Sequence, residues 1–199
     1  MPSPAFAPRH AMLPAGVRRL ATATLPLAAV ALLLAACETP KPATFYLAPQ
    51  AEGRHYGELV VTPVRNETGK PVPQEILDRT GQRLSRQLTA RGLSVAPAAP
   101  VAPTADYLVI DPRMVTYEAG SAFGRWIGFG AGTAICSLRI EAADGRTGQH
   151  IGDGSVTQSI QGGGLYSIGA GDYIVDRCAD AIAAGIADRL GATAKAAAK

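Results

Sequence analysis

The chain has 199 residues and a formal charge of +3, all of which comes from Arg9, Arg18 and Arg19. Of its 19 basic residues, 16 lie beyond position 36, and they are balanced by 16 acidic ones. A neutral body of 163 residues is long enough for one domain with a packed core, and it excludes nucleic-acid binding driven by net charge.

The first element is a targeting segment. Arg18 and Arg19 precede an apolar run from Leu20 to Ala36 that is interrupted by Pro26. A membrane-spanning helix needs about twenty continuous apolar residues, so this pattern predicts a secretory signal over residues 1–36, within which Met12 is a second candidate start. The junction Leu34-Ala35-Ala36-Cys37 resembles the lipobox of bacterial lipoproteins. The resemblance implies cleavage before Cys37 and acylation of that cysteine by chains such as palmitate; the plainer reading is a signal peptide that carries a cysteine. Each buried CH₂ of an acyl chain contributes about 0.8 kcal/mol, so two or three chains hold firmly. Glu38, where an aspartate would imply retention in the inner membrane, points to the outer membrane with the domain facing the periplasm.

Residues 37–56 hold three prolines in "ETPKPATFYLAPQAEGRHY" and read as the lipidated cysteine and a flexible tether. A single domain is expected over residues 57–191. It opens with the strand "ELVVTPV" (Glu58–Val64) and the turn-rich "RNETGKPVP". A helix follows from Pro73 to Arg91, with Ile76, Leu77, Leu84 and Leu88 toward the sheet and a solvated stripe of Arg79, Arg83 and Arg86. "LSVAPA" is a short strand, and "DYLVIDPRMVTYE" a long one with a break or bulge at Pro112.

"TAICSLRIEA" alternates, with Ala134, Cys136, Leu138, Ile140 and Ala142 on one face and Ser137, Arg139 and Glu141 on the other. After the turn "DGRTG", "QHIGDGSVTQSI" is a weaker strand. The last helix is capped by Asp172 and carries the apolar stripe Ile174, Cys178, Ala181, Ile182, Gly185 and Ile186. Asp172, Asp176 and Asp180 read as its exposed acidic face. Residues 192–199 are expected to be a disordered tail. The order β-α-β-β-β-β-α predicts an α+β fold: a mostly antiparallel sheet with two helices on one face.

Cys136 and Cys178 point into one core from a strand and from a helix. They are either a disulfide, closing a loop of about 42 residues worth about 4 kcal/mol, or two separate buried thiols. The segment "FGRWIGFGAGTA" also has two readings. Its glycines make bulges that fold Trp126, Ile127 and Phe129 onto the sheet, or Phe123, Arg125, Trp126, Ile127 and Phe129 form an exposed tip that meets a partner or the membrane. The glycine spacing fits no nucleotide loop and precedes a strand rather than a helix. His55 and His150 lie in no metal-ligand spacing, and no nucleophile motif is present.

The segment "ADYLVIDPRMVTYEAGSAFGRWIGFGAGTA", with Asp144 and Thr147-Gly148 after it, resembles the bacterial lipoprotein family called domain of unknown function 4410. The matching positions include Ala105-Asp106-Tyr107, Tyr117, Gly120-Ser121, Arg125 and Gly128 to Gly132, and the likeness spans Glu58–Leu190. It implies a fold and an envelope location, and no activity. The element order is also similar to the periplasmic domain of curli-secretion lipoproteins and to the N-terminal domain of TolB. The expected role is protein binding or envelope assembly, through an envelope partner or self-association, with no catalysis, cofactor, metal, nucleotide or nucleic acid. A small-ligand or cell-wall-binding lipoprotein using the "IQGGGLYSIGAG" loop is the alternative, and a periplasmic hydrolase the third.

Overall fold

The structure, a computed structural model, describes residues 41–51, 54–98, 106–121, 132–160 and 170–197, with side chains as far as residue 191. Among these residues seven strands form one sheet: β1 (Thr44–Leu47), β2 (Glu58–Val61), β3 (Arg65–Asn66), β4 (Val95–Ala96), β5 (Tyr107–Glu118), β6 (Ala134–Asp144) and β7 (His150–Ile160). Two helices, α1 (Gln74–Ala90) and α2 (Ala170–Ala197), complete the α+β domain. The strand order is β1-β7-β6-β5-β2-β4, with β3 also paired to β5. The long strands β5, β6 and β7 pair antiparallel, as expected; an edge strand, β1, also pairs antiparallel with β7, whereas β2, β3 and β4 join in parallel. The sheet is therefore mixed.

Alternation decides which face becomes core. Leu108, Ile110 and Met114 of β5, Cys136, Leu138 and Ile140 of β6, and Val156 of β7 all point inward and are buried. Ile76, Leu77, Leu84 and Leu88 of α1 meet them, together with Ile174, Cys178, Ile182 and Ile186 of α2. Thr80 is buried in the same stripe, where its hydroxyl donates to Ile76 O at 2.7 Å. Among the described residues, no helix is long and apolar enough to cross a membrane.

Several expectations are corrected. The tether does not extend to residue 56, because Thr44–Leu47 is a strand of the domain that pairs with β7. Its Phe45 and Leu47 enter the core, and Ala51 beyond them is 1 % exposed. Four alternating residues among prolines are too few to show a period, and the partner strand lies more than a hundred positions away. On β7, Gly154 makes room for this strand. A Cβ there would lie 2.8 Å from the Phe45 ring and 3.3 Å from Ile182 Cδ1. The glycines that make β7 look weak in sequence let β1 and α2 approach it.

Pro112 does not break β5, whose irregularity falls between Met114 and Thr116. The backbones of Ile110 and Met114 face the β2–β3 side, where they accept from Thr62 and Glu67 N–H. Pro112 shares that parity and lies opposite the gap between β2 and β3, where its missing N–H leaves no donor without a partner. Helix α2 begins at Ala170, so Asp172 stands in its first turn rather than at the cap, and it continues through the expected tail to Ala197.

The two charged helix stripes are not solvated faces. Arg79 donates to Asp176 at 2.8 and 3.1 Å and lies 3.3 Å from Asp172, and Arg83 donates to Asp180 at 2.6 and 2.8 Å. Only Arg86 of the stripe stays exposed. These pairs are bidentate and a third or so exposed, so each is expected to contribute about 0.5–1 kcal/mol. Arg83→Asp should therefore lower stability by about 1 kcal/mol, and Asp180→Arg added to it should recover most of that loss. Urea unfolding of the four-member cycle measures this; additive effects would mean that the pair does not couple the helices.

Candidate functional site

The helices cover one face of the sheet and leave the other open. On that open face the register lines up charges by sign. Asp153 of β7, Glu141 of β6 and Asp111 of β5 stand in one row across the strands, continued by Tyr46 of β1. The adjacent row is Arg139 of β6, Arg113 of β5 and Arg65 of β3, continued by Ser155 and Thr44. Like charges directly opposite one another destabilise a sheet. Here diagonal pairs offset the repulsion. Arg113 reaches Asp111 at 3.2 Å, Glu67 at 3.0 Å and Glu141; Arg65 pairs with Asp111; and the Thr62 hydroxyl donates to Asp111 at 3.0 Å. Arg139 has no ion-pair partner among the described residues. Beside the acidic row, Val109 and Ala143 floor a hollow of about 650 Å³ rimmed by Arg65, Asp111, Glu141 and His150. His150 Nε2 lies 3.1 Å from Asp153 Oδ1.

At one end of the sheet a second cluster is structural. Asp144 is 3 % exposed and accepts from the N–H of Thr147 at 2.9 Å and of Arg146 at 3.0 Å, while Arg54 pairs with it at 2.8 Å. The Thr147 N–H, with help from the Thr147 hydroxyl, Arg146 N–H and Arg54, holds the Asp144 carboxyl below the usual carboxylate range against the opposing effect of burial. Gly145 lies beneath the Tyr107 ring, which a Cβ would meet at 2.1 Å, and Gly148 has a φ of +70° that favours glycine. Tyr107 and the D-G-x-T-G turn, two of the segments that carry the family resemblance, thus meet in space as a hairpin clasp.

Cys136 and Cys178 also meet. Both are fully buried free thiols, and Cys178 Sγ donates to Cys136 O at 2.9 Å. The neighbouring Cys178 thiol, together with burial, pushes the Cys136 thiol far up. Among the described residues no group of His, Cys, Asp and Glu is arranged to hold a metal ion. Cys37 and the segment Phe123, Arg125, Trp126, Ile127 and Phe129 lie outside the described residues, as does most of the "IQGGGLYSIGAG" loop. The charge rows left one sign in the sequence: Asp111-x-Arg113 and Arg139-x-Glu141 have the outward parity and the reversed order that antiparallel neighbours need.

The chain belongs to the family described as Domain of unknown function (DUF4410), which it matches over residues 62–164, just over half its length. No curated protein matches the sequence. Among solved structures it is similar to a PelC dodecamer from Paraburkholderia phytofirmans (15% identity, 70% of this chain and 96% of that one, TM-score 0.43). It is also similar to the hypothetical protein CT253 from Chlamydia trachomatis (14%, 68% and 99%, TM-score 0.47) and to lipoprotein GNA1162 from Neisseria meningitidis (17%, 52% and 81%, TM-score 0.37). These likenesses are distant, and the family assignment rests on the sequence match alone.

Two outcomes test the clasp. Gly145→Ala should destabilise the domain by about 1–3 kcal/mol by displacing the Tyr107 ring, and the penalty should vanish in a Tyr107→Ala background. Because the folded Asp144 pKa is depressed, its contribution is complete above the ordinary carboxylate value and is lost as pH falls through the lower folded value. The stability gap between wild type and Asp144→Asn, measured by denaturant unfolding, should therefore be constant above about pH 5 and close below about pH 4.

Proposed function

We propose that this protein is a lipoprotein anchored through acylated Cys37 to the periplasmic face of the outer membrane, and that its domain is a protein-binding or assembly module without catalysis. The observation that carries the reading is the open sheet face. Two adjacent rows of opposite charge offer a partner a patterned surface, and Arg139 is left to pair across an interface. Charge patterning of this kind selects partners and sets their register more than it adds raw affinity. The anchor is supported by the likeness of Leu34 to Cys37 to a lipobox. The absence of catalysis is supported by the pairing of the titratable groups around the hollow: Asp111 and Glu141 are held by arginines, and His150 faces Asp153. The hollow over Val109 and Ala143 favours one second reading, a small-ligand or cell-wall-binding lipoprotein.

A photo-crosslinking residue at Ser155, on the open face, is compared in intact cells with one at Gln82, exposed on α1. One discrete protein adduct from position 155, absent from position 82 and lost on Arg139→Glu, is the expected result. Ala143→Leu, which fills the hollow, should leave that adduct unchanged. Labelling of both positions alike, or of neither, would sink the open-face reading, and loss of the adduct on Ala143→Leu would move the site to the hollow.

A further inference from the structure

The N-terminal chain is clamped where the domain begins. Gln158, 1 % exposed on β7, accepts from Lys41 N–H at 3.3 Å and donates its Nε2–H to Lys41 O at 2.6 Å. Three residues separate Lys41 from Cys37, so their Cα atoms lie at most about 14 Å apart. Gln158 pairs with Cys136, Ile160 with Ala134, and Glu118 with Ile135, so the clamp sits at the end of the sheet where β5 and β7 finish and β6 begins. The opposite end, the Asp144–Gly148 turn, is an eleven-residue strand away, about 35 Å and more than twice the reach of the tether.

The first turn of α2 packs at the clamped end, where a Cβ on Gly171 would lie 3.1 Å from Ala119 Cβ and 3.2 Å from Tyr117 Oη. That turn carries Tyr173, 59 % exposed, with the Arg177 guanidinium 5.9 Å from its ring centroid. Tyr46, on the open face, is the one other exposed large apolar side chain among the described residues. No flank of the described domain therefore offers the apolar area that would hold it flat on lipid. A tyrosine beside an arginine suits the head-group layer, with the ring at the acyl boundary and the hydroxyl and cation in water.

We infer that the Lys41–Tyr173 end of the sheet is seated on the lipid surface, that the Asp144–Gly148 turn points away from it, and that the charged open face stays accessible from the side. The inference rests on the acylation of Cys37.

The test uses the full-length lipidated protein in vesicles of phosphatidylethanolamine and phosphatidylglycerol that carry a head-group spin label. A fluorophore is placed on Glu118→Cys at the clamped end or on Arg146→Cys in the far turn; Cys136 and Cys178 are buried and stay unlabelled. Quenching about five-fold stronger at 118 than at 146 is expected from the separation of the two ends. Equal quenching would mean that the domain lies flat. No quenching at 118 would mean that this end does not meet lipid, and its protection from maleimide in cells would assign it to a protein instead; each of these overturns the seating. Flotation and palmitate labelling of wild type against Cys37→Ser keep the two readings apart. Wild type that takes up no palmitate sinks the anchor, whereas wild type that floats but is unquenched at 118 sinks only the orientation.

Discussion

The register of β6 between β5 and β7 is the constraint from which the rest of the domain follows. Side chains on a strand alternate between faces, so a slip of one residue would send Cys136, Leu138 and Ile140 to water and Arg139 and Glu141 into the core. With the register as observed, β6 supplies the middle of the hydrophobic layer that both helices cover. The same register places Glu141 between Asp111 and Asp153, and Arg139 beside Arg113. Core and open face are two consequences of one alignment.

Charge plays a different part on each side. Between the helices, Arg79 and Arg83 meet Asp176 and Asp180 in bidentate pairs that fix how α1 lies along α2. On the open face, Arg113 holds three carboxylates together, yet the rows stay partly exposed and Arg139 has no ion-pair partner among the described residues. The first set is consumed within the fold. The second leaves a patterned surface on the side of the sheet away from the helices.

Much of the fold was legible. The alternation of "TAICSLRIEA" and the 3.6-residue stripes assign the core face of β6, Ile76, Leu77, Leu84 and Leu88 of α1, and Ile174, Cys178, Ile182 and Ile186 of α2 correctly, because each is a local period set by backbone geometry. On α2, Val175, Ala179 and Ala183 are buried where the stripe predicts Ala181 and Gly185. What escaped depends on long-range pairing. Strand β1 is four residues long and exists only because β7 is beside it. The arginine and aspartate stripes each look solvated on their own helix, and their partnership needs the two helices to meet. Pro112 reads as a break, yet it falls where the neighbouring strands leave a gap. The open-face rows were the least visible, since the sequence shows two outward pairs, Asp111-x-Arg113 and Arg139-x-Glu141, without saying that they are neighbours.

The sequence by itself determined the charge balance beyond residue 36, the two helices and the long strands, and which face of β6 and of each helix would be buried. Those properties follow from composition and local periodicity. The tertiary structure decided that Thr44–Leu47 joins the sheet, which charges neutralise one another, how Tyr107 and Asp144 close one hairpin, and which face the helices leave open. Each of those depends on register and helix packing between residues far apart in the chain, and no local period encodes such an alignment.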